Sequence, residues 1–541
     1  MVTHRNTSSW RSRLDGPPWV LGCANQVFAS LERVSRHRGA MCLLFMAMTM
    51  GARIVLLRRI PIPQPHVSDE FSYLLGAETF AAGRLTNPPH PMWTHFETFQ
   101  ELMRPTYMSK YPPGQSMFLA MGWKLLGHPW VGVLISYGLF AACLCWMLQN
   151  WVPPVYAVLG TAITLARISI LGYWMNSYWG GAVAASAGCL LLGALPRIAR
   201  RVNSKDFLLA AVGLVFLANT RPYEGLVMSV AAVMMLLVWR WRRQWGLSLA
   251  DLLSLRCLLP LLLVCGTAML LAAYYNHRVT GSAVTMPWTE YSRQYHIASP
   301  WLILPERKAA VYRHADLEST WVNQDLEFRE RRGNPSVNLR ELRKIFSFYC
   351  SPLCLFPVAI GILLSGSYRA WTAAAICLCV WFGLAIESFR FPHYIAGSAG
   401  LIALLATYGL RALRVIGRDY GPALVLTLVT LLCAQGRAQD QGLAWEVRRD
   451  PSPRMNAIRA ALKWGGRHLI LVRHSPNYIE HNDECVYNDA DIDAQQVVWA
   501  RDMGQAKDEE LIDYYRGSRK LWLYQPDSDS TKLLPYESVG P

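Results

Sequence analysis

The sequence predicts an all-α polytopic membrane protein of about eleven transmembrane helices, with a small α/β domain at its C-terminal end. Three observations carry this. Of 541 residues, 52% are hydrophobic and only 17% are charged, and the mean hydropathy is positive at +0.17, too oily for an ordinary soluble chain. The apolar residues recur in runs of about 14 to 21 between Ala40 and Gln435, near the ~20 needed to cross a hydrocarbon core. Beyond them come strand-like HLILVRH (His468 to His474) and LWLY (Leu521 to Tyr524), separated by helix-like KDEELIDYYRG (Lys507 to Gly517).

The runs fall at 40–57, 129–148, 153–172, 179–196, 206–219, 225–239, 257–275, 344–364, 370–387, 391–410 and 421–436. Two of them, 206–219 and 225–239, are short, and read either as tilted crossings or as a re-entrant pair. Orientation follows from Lys and Arg in the short loops. Arg5, Arg11, Arg13, Arg33, Arg36 and Arg38 precede the first run; Arg197, Arg200, Arg201 and Lys205 follow the fourth; Arg240, Arg242 and Arg243 follow the sixth; Arg411, Arg414 and Arg418 follow the tenth. With eleven crossings all four clusters share one side, the cytoplasmic one, and outvote Arg58 and Arg59. Residues 1–39 are then a basic cytoplasmic segment, expected to be poorly ordered, ahead of an uncleaved signal anchor. Residues 40–436 form the transmembrane domain, and the tail 437–541 lies outside. The net charge of +16 is a topology signal and calls for no nucleic acid.

Three large polar segments face outward: 58–128, 276–343 and the tail. The first contains HVSDEFSYLLGAETFAAGRL, His66 to Leu85. Ser68 suits an N-cap, Asp69 and Glu70 suit the first turn, and Phe71, Leu74 and Leu75 make an apolar stripe for an interfacial helix. Two acids here read either as partners of the helix dipole or as reactive carboxylates. Lys110, in Lys110-Tyr111-Pro112-Pro113, reads as an interfacial lysine or an anion ligand. Further polar clusters sit at outer run ends: Tyr173 to Tyr178 with Asn176, Arg221-Pro222-Tyr223-Glu224, and Arg390-Phe391-Pro392-His393-Tyr394. The aromatic residues Tyr173, Trp174, Tyr178 and Trp179 fit an interfacial belt. Arg53 and Arg167 lie near outer ends, either snorkelling or flooring a cavity. Asp489, Asp491 and Asp493 alternate like a calcium loop, but Ala494 and Ala500 stand where its glycine and glutamate belong, so no metal is assigned. Most of the thirteen cysteines lie inside apolar runs and read as small buried hydrophobes. Cys23 and Cys485 fall on opposite sides.

A first span followed at once by Asp69-Glu70-x-x-Tyr73 and an amphipathic helix resembles the GT-C glycosyltransferases, which include protein O-mannosyltransferases and the bacterial transferases that add aminoarabinose to lipid A. The likeness covers residues 40 to 436. It implies a glycosyltransferase of the bacterial inner membrane that takes a sugar from a polyprenyl-phosphate carrier, with Asp69 as base and Glu70 beside it. The Lys110 element is similar to the Lys-Pro-Pro of the aminoarabinose transferases, with a tyrosine inserted, which implies a carrier-phosphate contact. Tyr73, Arg221, Glu224, Arg390 and His393 complete the expected substrate site. The expected partners are the lipid-linked sugar, membrane lipids and an acceptor that is lipid, glycan or protein; no cofactor is expected. The alternatives are a transporter or flippase for a lipid-linked saccharide, whose internal repeats are not evident here, and a non-catalytic scaffold displaying the tail.

Overall fold

Apolar side chains on every face commit a helix to lipid or to other helices, and each of the eleven runs is met by a helix or a helix pair. The computed structural model describes residues 18–242, 254–307, 310–438, 452–474, 484–529 and 532–536. Arg5, Arg11, Arg13 and Arg243, used above for orientation, lie outside them. Among the described residues seven helices are long and apolar enough to cross a membrane: Arg38–Arg58, Trp130–Trp151, Ala182–Arg200, Pro222–Trp239, Leu258–Thr280, Tyr368–Ile386 and Pro392–Ile416. The protein is an integral, multi-pass membrane protein.

Among the described residues, not every one of the eleven runs becomes a helix of that length. The run at 153–172 yields only Pro154–Arg167, 14 residues, and 206–219 yields Ser204–Ala218, 15 residues. The run at 344–364 becomes Pro335–Tyr349 and Pro352–Leu363, bent by 86°, an eighth crossing if the pair counts as one. Pro352 disfavours helical geometry at Ser351, which breaks the rod there. Within the bundle, backbones touch where side chains vanish: a Cβ on Gly188 would lie 2.0 Å from the carbonyl oxygen of Gly397, a close approach that helices in lipid use for packing.

Two expectations for polar segments are corrected. The basic N-terminal segment is not uniformly poorly ordered, because Pro18–Ser35 is a helix whose Phe28 is buried 6.1 Å from the ring of Tyr156. The aromatic residues after the third run do not form an interfacial belt. Tyr173, Trp174, Tyr178 and Trp179 are each at most 5% exposed, and Trp174 packs on Phe140 and Tyr349.

The outer segments fold onto one another. Strands β1 (Glu101–Leu102) and β2 (Met108–Ser109) pair antiparallel in the first outer loop. The tail carries β3 (His468–Val472), β4 (Val497–Arg501), β5 (Lys520–Tyr524) and β6 (Leu533–Pro535) in the order β4-β3-β5-β6, the first three parallel and β6 antiparallel to β5. Both HLILV and VVWAR are buried along their whole length, as strands of a covered parallel sheet are. The expected helix at 507–517 runs Gln505–Tyr514. Leu75, Phe96, Met103 and Tyr107 of the first outer loop share a core with Leu469, Leu471 and Val498 of the tail. The tail is thereby seated on the loop that carries Asp69.

Candidate active site

Helix Ser68–Ala81 begins one residue earlier than a Ser68 cap requires. Val67 is the N-cap, and the cap is built from within by Glu70. Its Oε2 accepts the N–H of His66 at 2.8 Å and of Val67 at 3.2 Å, while Oε1 accepts the N–H of Tyr178 at 2.9 Å. Glu70 therefore ties the helix start to the Tyr173–Trp179 turn. Burial raises its pKa to about 7 against the pull of those three donors. The helix is not interfacial as expected: Phe71 stacks on Tyr487 of the tail at 4.1 Å, and Leu75 is 3% exposed.

Asp69 differs from its neighbour. Its side chain, partly buried, makes no hydrogen bond or ion pair among the described residues. Burial raises its pKa to about 6, and the charges of Lys110 and Arg221 oppose that rise. Desolvation without hydrogen-bond compensation leaves a carboxylate with appreciable proton affinity near neutral pH.

Two cations flank it. Lys110 is 5% exposed, with its ammonium 4.7 Å from the ring centroid of Tyr291 and 5.1 Å from that of Tyr111. Burial lowers its pKa to about 8, and Asp69 opposes that. Arg221 lies 4.2 Å over the Tyr394 ring. Neither cation makes a hydrogen bond or ion pair among the described residues. Tyr73 stacks on Tyr111 at 4.5 Å and walls the same space.

The close approach of the two cationic segments depends on Gly114. Its N–H donates to Asn219 O at 2.7 Å, and a Cβ there would sit 2.7 Å from that oxygen and 2.6 Å from Thr220 Cγ2. The next residue, Gln115, donates to Tyr178 O at 2.9 Å. One glycine and one glutamine thus hold the Lys110 segment, the Arg221 turn and the Glu70 partner together.

Other expected residues take different places. Glu224 lines a small cleft with Arg221, Tyr394 and Ser398. His393 is 2% exposed, and its Nδ1 lies 3.2 Å from the Tyr173 hydroxyl inside a cluster with Trp179 and Phe391. The donors of Arg390 are occupied by Glu387 O at 2.8 Å, Ala385 O at 3.0 Å and Asn338 Oδ1, so it caps the C-terminus of helix Tyr368–Ile386. Arg53 neither snorkels nor floors a cavity. It is fully buried, donates to Asn176 Oδ1 at 2.9 Å and to the carbonyls of Ile60 and Pro61, and pins the outer loop. Arg167 donates to the carbonyls of Phe348 and Ser347 at the end of helix Pro335–Tyr349.

Sequence reasoning missed two residues near the site. Glu387 is 7% exposed with Oε1 lacking a hydrogen-bond partner, and it interacts with Glu224 and Arg221. Tyr291, from the second outer segment, offers its ring face to the Lys110 ammonium, and its hydroxyl oxygen accepts the N–H of Gln100 at 2.8 Å. A carboxylate beside Arg390 was visible in the sequence; nothing local marked Tyr291. The alternating aspartates do not converge: Asp491 accepts the N–H of Ala494 at 3.2 Å, and Asp493 is held by the hydroxyls of Tyr514 and Tyr515.

No protein-family model and no curated protein matches the chain. Solved structures do. ArnT from Cupriavidus metallidurans in the apo state aligns with a TM-score of 0.52 at 13% identity, over 90% of this chain and 93% of that one. The same protein bound to undecaprenyl phosphate aligns at 0.49, again at 13% identity and over 90% and 93% of the two chains. The fold of this chain is similar to that of ArnT.

Proposed function

We propose that the protein is a membrane glycosyltransferase that moves a sugar from a polyprenyl-phosphate donor to an acceptor hydroxyl or amine on the non-cytoplasmic face. The observation that carries the reading is the unpaired, partly buried Asp69 carboxylate with the unpaired Lys110 and Arg221 cations around it. An ion cluster with no internal pairing is costly to bury, and this one matches what the reaction needs.

In the proposed step the acceptor oxygen or nitrogen attacks the anomeric carbon, and its proton passes to Asp69. The bond from that carbon to the phosphate oxygen breaks, its electron pair stays on the oxygen, and the carrier leaves as polyprenyl phosphate. Lys110 and Arg221 stabilise the charge gathering on that phosphate. Glu70, saturated by backbone donors, positions the helix. The resemblance implies inversion at the anomeric carbon. Arg390 and His393, placed above in a helix cap and an aromatic cluster, are given a scaffolding part.

The topology supports a lipid-linked donor. The tail packs on the helix that carries Asp69 and the 276–343 segment packs on Lys110, while the donor's polyprenyl chain would lie among the spans. The test supplies purified protein with either a nucleotide sugar or a polyprenyl-phosphate sugar, plus extract as acceptor source. Release of free carrier in the second arm only is expected. Transfer from the nucleotide sugar without carrier lipid overturns the proposal. Outside labelling of Ser68, Asn334 and the tail in intact cells is expected as well, and cytoplasmic labelling of the tail would separate it from the donor face.

A further inference from the structure

The three parallel strands of the tail end together, β3 at Val472, β4 at Arg501 and β5 at Tyr524. In open sheets of parallel strands, ligands bind in the crevice beyond the carboxyl ends, where successive connections leave in opposite directions. Here the chain lays β4 on one side of β3 and β5 on the other. A cavity of about 330 Å³ lies beyond the ends of β3 and β4, bounded by Arg473, His474, Arg501 and Asp502 and closed by Arg313 and Lys507. Arg313 comes from the second outer segment, just ahead of helix Ala315–Gly333, so the crevice forms only where the tail meets the membrane domain.

Its floor is internally neutralised. Arg501 donates to both Asp316 and Glu484, and His474 lies 3.1 Å from Asp527 and 3.9 Å from Glu484. Asp316, His474 and Glu484 come close enough together to suggest a cation site, but the Arg501 guanidinium already supplies the positive charge to both acids. The rim is different. Arg313 and Arg473 have side chains 47% and 43% exposed, each with one acid behind it, Glu97 and Asp502. Lys507 is exposed, and its side chain makes no hydrogen bond or ion pair among the described residues. The N-terminal turn of helix Ala315–Gly333 borders the same space, where backbone N–H groups favour an anion; ahead of helix Gln505–Tyr514 the N–H groups of Met503 and Gly504 are already taken by Asp508 and Asp502.

We infer that this cleft binds a phosphate-bearing saccharide, at a place separate from the Asp69 site. The cationic rim and the start of helix Ala315–Gly333 meet the phosphate, and the remaining volume, larger than a bare anion needs, takes the sugar. The inference does not depend on the proposed transfer reaction.

The test uses the full chain in nanodiscs and glucose 1-phosphate as probe, with glucose, inorganic phosphate and phosphatidic acid as comparison arms. Saturable binding of glucose 1-phosphate, tighter than that of glucose or inorganic phosphate, is expected. Lys507→Glu, at an exposed side chain without a partner, should weaken it at least about tenfold, and Arg473→Ala should do so as well. Asp69→Asn should bind the probe as the parent does. Absence of saturable binding, equal binding in Lys507→Glu with the tail still folded, or loss of binding in Asp69→Asn overturns the inference. Binding of phosphatidic acid without glucose 1-phosphate overturns the saccharide assignment.

Discussion

Two charged clusters in this protein obey opposite rules. Around Asp69 the charges of Lys110 and Arg221 are felt but not bonded, and the side chains lean on the rings of Tyr291 and Tyr394. Around Arg501 every charge has a partner: Asp316, Glu484 and the carbonyl of Glu97 at 2.5 Å share one guanidinium. Arg501 holds the Glu484 carboxyl well below its usual range, against the effect of burial. The second cluster explains itself as a clamp between the tail and both outer segments. The first has no such structural account, and burying it unpaired makes sense only if a ligand completes it.

The largest expected effect breaks the unpaired cluster. Asp69→Asn keeps the shape but cannot take a proton, so turnover should fall by a factor on the order of 10²–10⁴, with thermal unfolding unchanged. Near-parent activity would return Asp69 to the role of a helix-dipole partner. The matching change in the paired cluster is Arg501→Met, which strands Glu484 and Asp316. It should cost about 3–5 kcal/mol, seen as a lowered unfolding midpoint of the tail by fluorescence of the buried Trp499. A midpoint within error of the parent would show that the clamp is not holding the tail.

Next comes pH. Asp69 must be ionised to act as base, and its raised pKa of about 6 predicts a kcat/KM that rises through that value. Lys110 must be protonated to meet phosphate, and its lowered pKa of about 8 predicts a fall above it. A bell between the two is expected in the free enzyme, and Lys110→Arg should extend the alkaline limb upward. A flat profile from pH 5 to 9 would remove both assignments. Glu70→Gln should be milder than Asp69→Asn in turnover and cost about 1–3 kcal/mol of stability, because an amide nitrogen cannot accept the N–H of Tyr178 or of His66. Equal loss of turnover in a folded Glu70 variant would make it a second reactive carboxylate. The smallest effect is expected from Tyr487→Leu, which removes the stack on Phe71 at about 0.5–1.5 kcal/mol and should change KM or kcat less than tenfold.

Much of the fold was legible because its signals are local. Runs of apolar residues marked helices, and a five-residue buried stretch such as HLILV marked a strand. Helix length was less legible than helix position: the run at 153–172 yields only the 14 helical residues Pro154–Arg167. In the candidate site, Asp69, Lys110 and Arg221 stood out through the motif around Asp69 and their expected shared side of the membrane, and the fold brings the three charges near one another. Tyr291 did not stand out, since it meets Lys110 from a separate polar segment and sits in no periodic pattern; Glu387 stood beside Arg390 in the sequence, but nothing local tied it to Arg221 and Glu224. The aromatic turn at Tyr173–Trp179 was misread as a belt, because an interfacial and a buried tryptophan look alike until Glu70 is seen to accept the N–H of Tyr178.

The stack between Phe71 and Tyr487, with Glu78 Oε2 accepting the N–H of Ala490 at 2.8 Å, has a consequence for how the protein is made. The helix that carries Asp69 is synthesised more than 400 residues before Tyr487 and Ala490, which complete its far side. During synthesis the growing chain exposes that helix with one flank bare, so the proposed base has its full surroundings only after the tail has been delivered and seated. Completion of the candidate site thus waits on the tail: a chain halted before Tyr487 would be inserted in the membrane with that face of the helix uncovered.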